Sequence, residues 1–277
     1  MTSQHIALVT GCSSGIGRAA AEALNQAGLT VYASARRTET LDDLVAAGCR
    51  AIQLDVDDEA SMAAAVAEVG PIDVLVNNAG YGLYGPVEQV GMDEIRKQFE
   101  TNVFGLVRLT QLVLPGMRSR RRGRILNVSS MGGRTTLPGG GFYHASKYAV
   151  EAISDALRIE VKPFGLDVVL IEPGIVRTPW SEQAMQHQAA SSADPQDPYA
   201  DYKNAVSASF DRAYTGPLAR LSTSPERVAE TIVKAATARR PRPRYLISPM
   251  AKSLVAAKTL LPDRAHDRLL KQQYKLP

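Results

Sequence analysis

The stretch Ile6-Ala-Leu-Val-Thr-Gly-Cys-Ser-Ser-Gly-Ile-Gly17 decides the fold, and the rest of the chain can be read outward from it. Ile6 to Val9 is a short apolar run of the kind carried by a parallel strand buried on both faces, and it breaks at Thr10-Gly11. From about Gly15 to Ala27 the chain reads as a helix. Glycines at 11, 15 and 17 allow the backbone to approach a pyrophosphate closely, whose charge then sits where the free N–H groups and dipole of the helix N-terminus point. Taken alone, these residues fit a purely structural glycine turn equally well.

The strand-then-helix pattern recurs. Thr30 to Ser34, Ala51 to Asp55, Asp73 to Asn77, Ile125 to Ser130, Val168 to Ile171 and Tyr245 to Ser248 read as strands. Helices are expected over about 58–69, 93–117, 143–162 and 225–238. The helix over 93–117 shows amphipathic spacing at Ile95, Phe99, Val103 and Leu106. Such alternation predicts an α/β fold with a mostly parallel sheet. The apolar run Ile125-Leu-Asn-Val-Ser-Ser130 ends in a hydroxyl thirteen residues before Tyr143, and Tyr143 and Lys147 are four apart. On one helix their side chains share a face. A free tyrosine titrates near pH ~10, and a fixed ammonium nearby is one of the few ways to bring it toward neutrality. Ser130 can bring an oxygen-holding hydroxyl to the same point.

Thr10-Gly-Cys-Ser-Ser-Gly-Ile-Gly17, Asn77-Asn-Ala-Gly80, Asn102, Ser130, Tyr143-x-x-x-Lys147 and Pro173-Gly174 stand together in one order. With them the chain resembles a classical short-chain dehydrogenase/reductase from about residue 5 to about 250. The resemblance implies a Rossmann-type, doubly wound, seven-stranded sheet in the order 3-2-1-4-5-6-7. It also implies one domain over 1–277, with a substrate lid at about 180–223 and a C-terminal extension at about 250–277. Ser130, Tyr143, Lys147 and Asn102 take the catalytic places, Asn102 by holding a water that links Lys147 to solvent. Gly11, Ser13, Ser14, Gly15, Ile16 and Gly17 take the pyrophosphate turn. Asp55 and Val56 border the adenine; Asn78, Ala79 and Gly80 contact a ribose; Pro173, Gly174, Val176 and Thr178 hold the nicotinamide end. Tyr143 and Lys147 also touch the cofactor.

The end of the second strand selects which cofactor is expected. An acidic residue there would hydrogen-bond the adenosine ribose. The chain instead gives Ala35-Arg36-Arg37, and planar guanidinium groups pair well with phosphate, so NADP(H) is expected. A solvated basic turn is the plainer account of the same two residues.

Tyr199, Tyr202, Val206, Phe210 and Tyr214 make one aromatic helix stripe, readable either as core packing or as a ligand wall. The extension carries Leu254, Val255, Leu260, Leu261, Leu269 and Leu270 among basic residues. It could cover the substrate mouth, meet a partner subunit or, least favoured, lie on a membrane surface. The run Arg118 to Arg124 reads as solvated surface rather than as a nucleic-acid or membrane patch.

Bulk composition excludes more than it assigns. A chain of 277 residues that is 45% hydrophobic can bury a sizeable core, and a net charge of +4 implies no nucleic acid. The absence of an 18-residue uncharged apolar stretch or leader, and two cysteines without framework spacing, suit a cytoplasmic protein. No metal is expected, because the four histidines lack ligand spacing. Cys12, near a helix N-terminus, is expected to have a lowered pKa and to be shielded by NADP(H). The resemblance implies an oxidoreductase on a hydrophobic carbonyl or alcohol (steroid, retinoid or lipid-like), assembled as a homodimer or homotetramer. The rival reading is an NADP(H)-sensing protein that binds without turnover.

Overall fold

The computed structural model describes residues 5–177, 196–215 and 222–276. Seven strands form one sheet: β1 (Ile6–Val9), β2 (Thr30–Ala35), β3 (Arg50–Gln53), β4 (Val74–Asn77), β5 (Gly123–Val128), β6 (Leu166–Glu172) and β7 (Arg244–Leu246). Their order is β3-β2-β1-β4-β5-β6-β7, and every pairing is parallel. This is the order the resemblance implied.

Side chains alternate across the sheet with a period of two. Ala7, Val9, Val74, Val76, Leu126 and Val128 point to a layer built with α1 (Gly15–Gln26), α2 (Asp42–Ala46) and α8 (Pro225–Thr237). Leu8, Leu75, Ile125 and Val168 point the other way, toward α3 (Glu59–Val69), α5 (Leu106–Arg120) and α6 (Gly141–Val161). Leu8, Leu75, Ile125 and Leu126 are fully buried, and each such side chain contributes roughly 1.5–3 kcal/mol by leaving water. Because both faces are covered, the central strands β1 and β4 are near-continuous apolar runs rather than alternating, as their sequences suggested, whereas edge strand β3 carries exposed Arg50 and Gln53.

The expected helix over 93–117 is interrupted. It divides into α4 (Met92–Phe99), a turn of π-helix (Glu100–Gly105) and α5, and Asn102 lies inside the π turn. The amphipathic spacing is blind to a one-residue insertion of this kind. Gly105 shows why the turn is held: a Cβ there would stand 2.2 Å from the Val56 carbonyl oxygen, so the helix passes directly against the chain after β3.

Beyond the sheet, α7 (Ala200–Thr215) is followed by α8, and after β7 come α9 (Pro249–Leu260) and α10 (Asp263–Tyr274). Val206 of α7 packs on Leu270 and Tyr274 of α10. Among the described residues no helix is long and apolar enough to cross a membrane.

A polar string runs through the core under the site. Asn77 Nδ2 donates to Thr110 Oγ1 (3.0 Å) and to Asn127 Oδ1 (2.9 Å); Asn127 Nδ2 donates to Ser154 Oγ (2.9 Å), which in turn donates to the Val150 carbonyl. Buried amides of this kind stabilise only while partnered. Asn127→Ala removes one of Asn77's acceptors along with its own packing, and it is expected to lower unfolding stability by about 1–3 kcal/mol in a denaturant titration; an unchanged midpoint would show that the string contributes nothing.

Candidate active site

All strands being parallel, their C-terminal ends share one edge, where a cleft of about 890 Å³ opens. The glycine turn after β1 forms one end. Gly11 has φ +72° and Gly15 φ +57°, both readily reached only by glycine. A Cβ on Gly17 would lie 2.3 Å from the Gly11 carbonyl oxygen and 2.5 Å from Asn78 Nδ2. Gly17 therefore shapes the turn from behind, buried, whereas Gly11, Ser13, Ser14, Gly15 and Ile16 line the cleft. The Ser14 side chain makes no capping bond, which leaves first-turn N–H groups of α1 for a ligand.

The turn is tied to β4. Thr10 Oγ1 accepts the N–H groups of Asn78 (2.9 Å) and Ala79 (3.0 Å), and Asn78 Nδ2 donates to the Thr10 carbonyl (2.8 Å). Asn78, Ala79 and Gly80 continue into the cleft wall. Arg36 and Arg37, past the end of β2, lie on the same wall with Asp55 and Val56. The Arg37 carbonyl accepts from Thr40 Oγ1 at 2.7 Å, which shapes the turn the two guanidinium groups extend from.

At the other end stand Ser130, Tyr143 and Lys147, all lining the cleft with Pro173, Gly174 and Val176. Ser130 follows β5, and its Oγ accepts the Gly132 N–H at 3.0 Å. Tyr143 and Lys147 sit on the first turns of α6, with Lys147 Nζ 6.0 Å from the phenol ring centroid. Thr178 lies outside the described residues.

Electrostatics depart from the sequence reading in one respect. Burial pushes the Tyr143 phenol up to about 12, with a hydrogen bond from Ser130 pulling the other way. Lys147 Nζ donates to the Val128 carbonyl at 3.0 Å, and burial brings it down to about 8, opposed by the nearby Glu151 carboxylate. In this state the ammonium is directed at a backbone oxygen, and burial rather than Lys147 sets the phenol.

Asn102, 1% exposed, spends its amide on protein. Nδ2 donates to the Tyr81 carbonyl (2.9 Å) and Ser146 Oγ (3.0 Å), and Oδ1 accepts the Tyr81 N–H. Ser146 Oγ then donates to the Tyr143 carbonyl at 2.7 Å. The π turn thus holds the cleft wall and α6 in register.

Cys12 corrects another expectation. Its thiol is fully buried, donates to the Val9 carbonyl, and is pushed up to about 12 by desolvation; proximity to a helix N-terminus is outweighed. Cys12 faces the α1 layer and does not line the cleft.

Sequence reasoning missed Tyr84 and Tyr274. Tyr84 stacks near Tyr143 (5.8 Å between centroids) and edge-on to Phe210 (4.9 Å). Of the aromatic stripe, Val206 belongs to the core, while Phe210 and Tyr214 face the cleft, so both readings hold for different turns of α7. Tyr274 brings the C-terminal extension into the wall. Of the expected lid, residues 180–195 and 216–221 lie outside the described residues.

A family model described as short chain dehydrogenase matches residues 5–189. The chain belongs to this family. A probable short-chain type dehydrogenase/reductase from Helicobacter pylori is 35% identical over 270 residues, 96% of each chain. The NADPH-dependent 3-dehydrocapnine reductase of Ornithobacterium rhinotracheale is 35% identical, covering 97% of each. Among solved structures, the closed form of a serine dehydrogenase complexed with NADP+ superposes with a TM-score of 0.75 at 30% identity, over 88% of this chain and 95% of that one. Oxidoreductase chemistry follows from the family.

His144 generates a pH prediction. Its ring is 3% exposed, and Nδ1 lies 3.1 Å from the Gly132 carbonyl, which can only accept, so Nδ1 carries the proton. Burial lowers its pKa from 6.5 to about 4. Unfolding restores the ordinary value, so its contribution to stability is full above pH 6.5 and is lost as the pH falls toward 4. His144→Gln is expected to flatten the acid limb of stability over that window in denaturant titrations; an identical acid limb would reject this. Separately, iodoacetamide is expected to label Cys12 slowly in the native protein, equally with and without cofactor, and fast in denaturant.

Proposed function

We propose an NADP(H)-dependent oxidoreductase that interconverts a secondary alcohol and a carbonyl on a hydrophobic substrate. The observation that carries the cofactor choice is the pair Arg36 and Arg37 on the cleft wall, with no carboxylate at the end of β2. The glycine turn fits a dinucleotide, since Gly11 and Gly15 bring bare backbone in left-handed conformation to the cleft and the first N–H groups of α1 are open to it. When bound, NADP(H) supplies or takes the hydride.

The chain's own residues would do the rest. Gly11 to Ile16 hold the pyrophosphate, Arg36 and Arg37 the 2′-phosphate, Asp55 and Val56 the adenine, and Asn78 to Gly80 a ribose. Pro173, Gly174, Val176 and Thr178 hold the nicotinamide end. Ser130 Oγ holds the substrate oxygen, and Tyr143 Oη gives it a proton in reduction. Lys147 binds the nicotinamide ribose and favours the phenolate once it turns from Val128, and a water held at the main chain of Asn102, whose side-chain amide is spent on Tyr81 and Ser146, completes the proton path. Tyr84, Phe210, Tyr214 and Tyr274 around Tyr143 support an apolar substrate such as a steroid, retinoid or lipid-like carbonyl. The 3-dehydrocapnine reductase, named for a dehydro substrate and NADPH, supports the reductive direction. Serine, the substrate named for the solved relative, is small and polar and suits such a wall poorly. Exposed Phe104, Tyr148 and Ile159 near and along α5 and α6 support assembly as a homodimer or homotetramer.

The test follows NADPH and NADH oxidation against bulky apolar and small polar carbonyls. Tyr143→Phe is expected to lower turnover by about 10²–10⁴-fold while NADPH binding persists; near-normal turnover would sink the assignment. Arg36→Ala with Arg37→Ala is expected to weaken NADPH binding by about tenfold or more, with NADH little changed. If NADPH binds and no carbonyl is turned over, the binding-protein reading takes its place.

A further inference from the structure

The two C-terminal helices concentrate the molecule's charge. Residues 249–276 contain Lys252, Lys258, Arg264, Arg268, Lys271 and Lys275 against Asp263 and Asp267, a net +4 equal to that of the whole chain. The first 248 residues are therefore neutral in sum.

The other basic cluster is engaged elsewhere. Arg120 donates to the Ile72 carbonyl, Arg121 to the Pro163 carbonyl, and Arg124 to carbonyls at 235, 236 and 238, while Arg122 and Arg124 face Asp73 and Asp167. Those arginines tie the far edge of the sheet together.

Helix α10 is divided lengthwise into three stripes. His266, Leu270 and Tyr274 are buried against α7 and the cleft. Arg264, Arg268 and Lys271, spaced four and three apart, fall on one exposed face, and exposed Lys275 follows at the end of the helix. Ala265 and Leu269, four apart, form a third stripe beside it, and Leu260 and Leu261 stand at the junction of α9 and α10 just before it. Leu261 and Leu269 are 39% and 38% exposed, and Leu260, at the end of α9, is 80% exposed. Apolar side chains flanked by a basic row on a helix already docked by its third face make the pattern of an interfacial helix.

We propose that α9 and α10 dock this protein peripherally on an anionic lipid bilayer, with Leu260, Leu261 and Leu269 entering the headgroup boundary and the basic row facing lipid phosphates. The occupant is chosen by charge: a second copy would bring the same +4 surface against itself, whereas an anionic bilayer complements it. Two weak signals, apolar insertion and a basic patch, together give stable but reversible attachment. Tyr274 places the same helix in the cleft wall, so an apolar substrate held in the bilayer would lie next to the element that borders the site. That last link rests on the hydrophobic-substrate reading; the docking does not.

The purified full-length chain would be sedimented with vesicles of phosphatidylcholine alone and with about one-third phosphatidylglycerol. Expected is partitioning at least about tenfold stronger to the anionic vesicles, weakening as salt is raised. Leu260→Ser/Leu261→Ser/Leu269→Ser and, separately, Arg264→Gln/Arg268→Gln/Lys275→Gln are each expected to reduce it by about tenfold or more. NADPH titration of both variants reports that the fold survives, and a failed cofactor reading would appear there rather than in sedimentation. No binding, equal binding to both vesicle types, or variants that bind like the wild type would overturn the proposal. So would loss of self-association in the leucine variant without any vesicle binding, which would assign the surface to a second copy.

Discussion

One threonine hydroxyl holds the two central strands to each other at the edge where the chemistry would occur. Thr10 Oγ1 takes the N–H groups of Asn78 and Ala79, and Asn78 returns its amide to the Thr10 carbonyl. β1 and β4 are neighbours in the sheet although α1, β2, α2, β3 and α3 all lie between them in sequence, so nothing local brings these ends together. With the clasp made, the glycine turn is pressed against Asn78 and the wall of the cleft is continuous. The parallel arrangement then carries the ends of β5 and β6 to the same edge, and with them Ser130 and Pro173-Gly174.

Burial governs what the groups in the cleft can do. Tyr143, Lys147 and His144 are all displaced toward their uncharged forms by the same desolvation, in a site whose neighbours are aromatic rings. A second buried cluster lies one turn along α6: Glu151 and Glu172 share Arg244 at 3.1 Å each, and Glu172, fully buried beside another carboxylate, is raised to about 7. That cluster fixes the end of β6 just before Pro173. The site is thus held in place by charges kept away from it.

The strands and the residues at their ends were legible because a two-sided parallel sheet leaves continuous apolar runs that stop abruptly at Gly, Asn or Ser. Tyr143 and Lys147 were legible from helical spacing only in the company of Ser130 and the glycine and asparagine motifs, since the spacing alone fits an ordinary surface pair. Other features had no local signal. The π turn at Glu100–Gly105 is dictated by contact with Val56, fifty residues away, and hydrophobic spacing passes straight through it. Cys12 was misjudged because sequence shows its nearness to a helix end but not its depth, and depth decides the thiol. Tyr84 and Tyr274 reach the cleft from a loop and from the last helix, where no periodicity points to Tyr143.

The π turn has a consequence for how this chain can vary. It adds one residue to what would otherwise be a continuous helix, and each residue of an α-helix corresponds to about 100° of rotation. Deleting a single position between Glu100 and Gly105 would rewind the turn and spin α5 by that angle relative to α4. Asn102 would leave Ser146 and Tyr81, and the sheet-facing residues Leu109 and Val113 would swing aside with it. The length of this stretch is therefore quantised, as a key's teeth are, whereas the exposed loops between strand and helix can gain or lose residues freely.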